Sequence, residues 1–382
     1  MLRFAGSSVH GYDGRVNFLE ALPGAVVMAP MTKGSNLPYR RLCVELGARI
    51  TVSEMTLARR LKQKRPGEFA LIRRFPDEPC FGVQLATNDP EEAAWAAALV
   101  ESRGADFVDM NFGCPIDYFT RKGLGAAIGR QPTRIRRLVE AMKRSVTGIP
   151  VTAKIRLGWN DAGRNYLEQA RAAVDGGANA LFVHGRTRNA RYRAAADWDT
   201  IGEIAAAVPI PVIGNGDLLF PHEIEGARTR SGCAAVMVAR AALIKPWIFQ
   251  EAIAGYQPFA AVERLAIYRR YAQLAREHWG NDEHGLTRVL DFITWHLDFW
   301  TRYVPQRPDG TFPTMQRRDA MVTSRLPLDH LLSRADSAAV GYLAHALAHD
   351  LPVDPGDAPD PLPVDTRDHR DRPAADAVQV EG

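Results

Sequence analysis

The chain has 382 residues, 46% of them hydrophobic and 24% charged. These proportions fit a globular protein, with room for one large α/β unit and a smaller module, and exclude wholesale disorder or a fibrous repeat. No run of 18 apolar residues is available to cross a membrane, and the opening MLRFAGSSVHGYDGR lacks the apolar stretch of a secretory signal. The net charge of +4 hides an asymmetry, because from Leu351 onward eight acidic residues face only three arginines. The basic body that remains suits a polyanionic partner. Cys43, Cys80, Cys114 and Cys233 lie far apart, with no C-x-x-C pair and no zinc spacing. They read as free thiols in a reducing cytoplasm, with no metal site.

Eight short apolar runs recur along the chain. They are AVVMAPM (25–31), RITVSEM (49–55), CFGVQLA (80–86), FVDMNFG (107–113), VTAKIRL (151–157), ALFVHGR (180–186), IPVIGNG (210–216) and AAVMVAR (234–240). Most lack strict alternation, as expected of parallel strands covered on both faces. Helix-like stretches separate them over residues 89–103, 133–145, 165–175 and 221–229. The first has Asp89-Pro90 at its start, Glu91 and Glu92 in the first turn and Gly104 beyond its end. Strand–helix alternation on this scale predicts a (β/α)8 TIM barrel over 25–254, after an N-terminal extension of residues 1–24. An open doubly wound sheet fits less well, because no G-x-G-x-x-G follows the first strand. Residues 255–350 change character. Leu290, Ile293 and Leu297, and Phe292, Trp295, Phe299 and Tyr303, recur at helical spacing, as do Leu265, Tyr268 and Tyr271. They predict a small all-α domain with an aromatic core. The stretch 351–382 is rich in Pro and Asp and predicts a disordered acidic tail.

In a barrel the C-terminal ends of the strands form the active face. Here those ends are polar: Thr32, Glu54, Gln84, Asn111 with Cys114, Lys154 with Arg156, His184 with Arg186, Asn215 with Asp217, and Arg240. Small residues around Ala239 and Arg240, and the run Gly214-Asn215-Gly216-Asp217, suit a phosphate-bearing cofactor held by backbone N–H groups and Arg240. Lys154 either forms an ion pair with Glu54 or Asp109 or stabilises negative charge on the cofactor. In Asn111-Phe112-Gly113-Cys114-Pro115 a thiol sits just past the fourth strand. A free thiol is mostly protonated at neutral pH, so Cys114 can donate a proton as well as attack. The loop Thr120–Gly125, with Lys122, is read as mobile and able to close over a substrate. Two basic runs follow strands on this face: residues 59–65, RRLKQKR, and residues 186–193, RTRNARYR. Together they favour RNA over a small acid.

At these residues the sequence resembles the tRNA-dihydrouridine synthases. The matching pieces are APM (29–31), VQL (83–85), NFGCP (111–115), KGLGAAI (122–128), AKIRLGW (153–159), VHGRTR (183–188), GNGD (214–217) and MVARAALIKPWIF (237–249). CPID, RYRAAADWDTI and ALIKPWIF are similar to the dihydrouridine synthase 3 subgroup, mostly described from eukaryotes. The zinc-finger motifs usual before that subgroup's barrel do not occur in this sequence. The region containing WHLDFWTRYVP is similar to the family's helical RNA-binding domain. The resemblance implies an FMN-binding barrel that reduces a uridine of tRNA, with NADPH or NADH as a transient reductant. It implies that Pro30, Met31, Thr32, Gln84, Lys154, His184, Asn215, Gly216, Asp217, Ala239 and Arg240 hold FMN, and that Cys114 is the catalytic acid. Asn111 and Arg186 would lie near the flipped base, with Lys122 and Arg188 also on the substrate. It further implies a cytoplasmic monomer whose partner is tRNA, the variable loop being the suspected target. Two other readings remain: an FMN-dependent reductase of a small pyrimidine or enone, and a non-catalytic RNA-binding barrel.

Overall fold

The structure is a computed structural model that describes residues 15–315 and 326–362. Its strands are β1 (Val26–Met28), β2 (Ile50–Val52), β3 (Thr56–Leu57), β4 (Cys80–Ala86), β5 (Phe107–Asn111), β6 (Val151–Arg156), β7 (Ala180–His184), β8 (Val212–Asn215) and β9 (Ala235–Val238). Eight of them form a closed, all-parallel barrel in chain order. Its seam is the pairing of β9 with β1, where Val27 faces Met237. β2 pairs directly with β4, and the two-residue β3 lies against the far end of β4, opposite Leu85 and Ala86. Each of the eight barrel strands falls inside one of the apolar runs. Their residues are buried with few exceptions, because side chains inside meet the barrel core and those outside meet helices.

The helix boundaries follow local chemistry. Asp89 caps helix Pro90–Ser102, accepting from the N–H groups of Glu91 at 2.8 Å and Glu92 at 3.3 Å. Helices Pro132–Ser145, Tyr166–Asp175 and Pro221–Ser231 occupy the other expected stretches. The periodicity left helices Leu37–Glu45 and Trp198–Ala207 unnoticed.

The N-terminal extension is not separate from the barrel over its described part. Asn17 caps the short helix Phe18–Ala21, and Phe18 closes the barrel floor, stacked on Phe107 at 4.0 Å. Gly82 makes room for that ring: a Cβ there would lie 2.1 Å from Phe107.

The second unit is helical, as expected. Helices Ala261–Trp279 and Glu283–Trp300 pack through Tyr268 and Trp300, whose rings stack at 4.1 Å, and Pro327–Ser333 and Ser337–Ala348 complete it. The aromatic stripe divides: Tyr303 is core, whereas Phe292, Trp295 and Phe299 stay half-buried, and Trp300, which the stripe did not include, is core. The unit is joined to the barrel through Tyr39. Its ring stacks on His296 at 4.1 Å and its hydroxyl donates to the Ala242 carbonyl at 2.7 Å.

Residues 351–362 depart from the expected disorder. The Tyr342 hydroxyl donates to the Asp354 carbonyl at 2.9 Å and accepts its N–H at 3.0 Å, and Val353 and Ala358 pack on the core. Prolines lower the entropy cost of ordering this stretch, so a few apolar contacts and paired backbone groups suffice. The rest of the tail lies outside the described residues.

Candidate active site

β5 ends Asp109-Met110-Asn111, and period two puts Asp109 and Asn111 on one face. Asp109 accepts from Thr152 Oγ1 and from Gln84 Nε2, at 2.7 Å each. Gln84 Oε1 accepts from Asn111 Nδ2 at 2.7 Å. Asn111 Oδ1 then accepts the N–H groups of Gly113 at 3.1 Å and Cys114 at 2.8 Å. A hydrogen-bonded chain thus runs from the barrel interior to the cysteine turn. Arg156 closes the turn from the other side, donating from Nε to the Gly113 carbonyl at 2.7 Å.

All four cysteines are free. Cys43, Cys80 and Cys233 are buried, whereas Cys114 is half-buried. Burial pushes the Cys114 thiol up, although a backbone N–H and the charges of Arg156 and Lys154 oppose it. The thiol therefore stays protonated through neutral pH.

The loop after Cys114 is not the free lid expected. Gly125 sits in the left-handed region (φ 59°) directly against Cys114, and the Ala126 N–H donates to the Cys114 carbonyl at 3.0 Å. Asn88 holds the Lys122 carbonyl at 3.1 Å, and Lys122 Nζ rests 3.9 Å from the Tyr118 ring centre.

Lys154 stands beside this turn on β6. Its Nζ donates to Asn215 Oδ1 at 3.5 Å, and burial pushes its pKa down to about 8. Asp109 is pushed up by burial, to about 6. The two charges favour each other through space, but among the described residues no carboxylate lies within ion-pair distance of Lys154, and Asp109 is taken by Gln84 and Thr152. Glu54 belongs elsewhere: its carboxylate accepts the Lys33 N–H at 2.7 Å.

His184 is buried and held neutral, first by burial and then by the nearby charges of Arg156, Lys154, Arg186 and Arg240. Its Nε2 lies 3.3 Å from Arg186 Nη1, which can only donate, so the ring hydrogen belongs on Nδ1. Asn215 Nδ2 donates to the Met237 carbonyl at 2.8 Å. Gly216 and Asp217 both adopt positive φ. Asp217 accepts from Arg186, from Arg240 at 2.8 Å and from the Ala196 N–H at 2.8 Å. Burial works against its charge, but the arginines hold its carboxyl below the usual range. Arg240 also lies 4.4 Å from the Tyr192 ring, and Ala239 precedes it at the start of helix Arg240–Ile244. Next to β9 across the seam, after β1, come Pro30, Met31 and the exposed Thr32, and the Met31 N–H donates to Ser35 Oγ at 2.9 Å.

The arginines of 186–193 are largely committed inside the protein. Arg186 is buried, and it bonds the Ala194 carbonyl (2.6 Å), His184 and Asp217. Arg188 bonds Asp117 and lies over Trp159, and Arg191 also reaches Asp117, at 3.1 Å. Arg186 and Arg188 thus shape the site's wall rather than presenting free guanidinium groups. Sequence reasoning gave Asp109 no role beyond a possible ion pair. Its period-two spacing from Asn111 was the available signal. Tyr192, beneath Arg240, carried none.

Arg186 and Arg240 share Asp217, whereas Lys154 bonds Asn215 and Arg156 bonds the Gly113 and Thr187 carbonyls. The excess of cations leaves a site that accommodates an anionic ligand.

A family profile described as Dihydrouridine synthase (Dus) matches residues 27–300. The chain belongs to the dihydrouridine synthase family. The matched span runs through the barrel and on to the end of helix Glu283–Trp300. Among its relatives are proteins named tRNA-dihydrouridine(47) synthase, with NAD(P)(+) in the name. That of Cryptococcus neoformans is 40% identical over 299 residues, covering 74% of this chain and 41% of the relative. That of Meyerozyma guilliermondii is 38% identical over 340 residues, covering 82% and 56%. A human protein named as like this synthase is 38% identical over 288 residues, covering 74% and 44%. The chain spans about half the length of the curated relatives it matches.

Proposed function

We propose that this chain reduces a uridine of tRNA to 5,6-dihydrouridine, using FMN that is re-reduced by NAD(P)H. The relatives are named for position 47, and we take that variable-loop uridine as the target. The observation that carries the reading is the half-buried Cys114, whose turn is held by Asn111 beside Lys154 and Arg156 and whose thiol burial keeps protonated. The residues fit the cofactor. The excess of cations suits its phosphate, and neutral His184, with its hydrogen on Nδ1, can donate to a ligand. Lys154, His184, Asn215 and Arg240 are the groups that would hold it, while Asp217 keeps Arg240 in place. Gln84 is tied to Asp109 and Asn111 and supports the site from below.

Bound FMN supplies the hydride that reaches uracil C6. The protein supplies the proton. Cys114 gives its thiol hydrogen to C5, the C5–C6 double bond becomes single, and the thiolate recovers a proton from solvent. Burial favours this, because it keeps the thiol protonated until the double bond is attacked. Lys154 would stabilise negative charge that builds on the reacting uracil before C5 is protonated. The target uridine has to leave its stack to reach the turn. We further propose a monomer, and a cytoplasmic location, the latter supported by the four free thiols.

The deciding test is a dihydrouridine map of host tRNA with and without the gene, alongside purified Cys114→Ala. Loss of dihydrouridine at one position, and a variant that binds FMN but forms almost no product, are the expected results. An unchanged map together with wild-type turnover by the variant would overturn both target and acid. Oxidation of the reduced enzyme by free uracil or cyclohexenone, but not by tRNA, would favour a small-molecule reductase.

A further inference from the structure

The two basic runs at the barrel mouth have different fates. In 186–193, Arg186, Arg188 and Arg191 are taken by Asp217 and Asp117. The run that begins at Arg59 continues to Arg74 and contains seven basic residues against one acid, Glu68. Glu68 faces inward. It accepts the Leu57 N–H at 2.9 Å and lies 3.6 Å from Arg60, so it offsets that one charge. Among the described residues, no carboxylate lies within ion-pair distance of Arg59, Lys62, Lys64, Arg65, Arg73 or Arg103. Arg59, Lys62, Lys64 and Arg65 are exposed.

The backbone makes this segment a defined feature. Helix Ala58–Lys62 starts at the rim, directly after β3, and is anchored by buried Leu61. Lys64 takes the left-handed conformation (φ 58°) and turns the chain into helix Pro66–Leu71. Behind that helix lies a cavity of about 430 Å³, which Phe69, Arg73, Arg74 and Arg103 help to line. Arg74 is committed to Asp106 at 2.6 Å, and Arg103 lies over Phe69 at 5.3 Å. The chain then descends to Cys80, where β4 begins at the barrel floor. The cations therefore follow the outer wall from rim to floor, a distance of about 20 Å for a strand of this length.

We propose that this helical hairpin and the cavity behind it form a track that docks an RNA phosphodiester backbone outside the barrel mouth. The proposal rests on the tRNA reading above and adds to it where the nucleic acid leaves the active site. A row of cations lacking carboxylate partners suits a polymer with one charge per unit. Gln63, Pro66, Gly67 and Ala70, exposed between the cations, offer no large apolar group for insertion into a lipid surface.

The test compares tRNA binding by the full-length holoenzyme across a salt series. One variant is R59Q/K62Q/R65Q, a second is R73Q/R103Q, and a control, R136Q/R137Q/R171Q, removes three exposed charges from helices elsewhere on the barrel. Each track variant is expected to weaken tRNA at least tenfold at physiological salt. The plot of log K against log salt should become shallower by about 0.7–0.9 for each phosphate no longer neutralised. The control should match wild type, and NAD(P)H-driven flavin reduction should be the same in all four proteins. Track variants with wild-type affinity and slope would overturn the proposal, as would a control that weakens binding equally. Tight tRNA binding by wild type without dihydrouridine formation would defeat the functional reading alone, since the binding comparison still decides the track.

Discussion

Asp109 accepts hydrogen bonds from Thr152 on β6 and Gln84 on β4. Above its pKa of about 6 it is a pure acceptor, so the Gln84 NH2 group must face it. That orientation turns Gln84 Oε1 toward Asn111, and Asn111 Oδ1 toward the Gly113 and Cys114 amides. One buried charge therefore fixes the sense of two amides behind the proton donor. Asp109→Asn can donate as well as accept, and it releases that constraint. Product formation should fall by on the order of 100-fold, as small misplacements of reacting groups do. Single-turnover dihydrouridine formation with FMN content measured in parallel checks this. An unchanged rate would mean that Cys114 is positioned by Arg156 alone.

The barrel elements meet at a tightly filled floor. β4 carries Gly82 where the Phe107 ring of β5 needs room, and Phe18 stacks on that ring from below. A methyl group at 82 cannot be absorbed by a ring held on both sides. Gly82→Ala should destabilise the protein by about 1–3 kcal/mol, the usual range for overpacking. A denaturant midpoint gives the value, and Phe107→Leu in the same chain should recover part of the loss. At this scale the sequence was most legible. Strands buried on both faces read as apolar runs, and Asp89-Pro90 with its two glutamates announces a helix start. The plug was hidden because helix Phe18–Ala21 is a single turn, too short for any periodicity to mark it.

At the scale of the molecule, barrel and helical unit share a buried interface. Tyr39 and His296 stack across it, and Arg270 binds Glu45 through two bonds of 2.6 and 2.8 Å. Glu54 sits near this junction, and its pKa is raised by burial to about 7, partly offset by the Lys33 N–H. Between about pH 4.5 and 7 the folded protein keeps a proton there that the unfolded chain has lost. That contribution to stability is complete below this window and disappears as pH rises through it. Glu54→Gln stays neutral, so its stability relative to wild type should improve from pH 4.5 to 7 and then level off. Parallel melts across that range check the sign, and a relative loss with rising pH would contradict it.

The sequence by itself determined the eight barrel strands, the aromatic helices, the polar ring at the strand ends, the cysteine turn and the family likeness. These depend on periodicity, caps and residue type, all carried within a few neighbouring positions. Which charges are free was decided only by the tertiary structure. Arg186 finds Asp217 31 residues away, and Arg188 finds Asp117 71 residues away, so one basic run is neutralised by partners that no local pattern reveals. The run from Arg59 to Arg65 is as basic in sequence, and its cations other than Arg60 have no such partner among the described residues. Ion pairing is a property of distances in space, and only the closed barrel sets those distances.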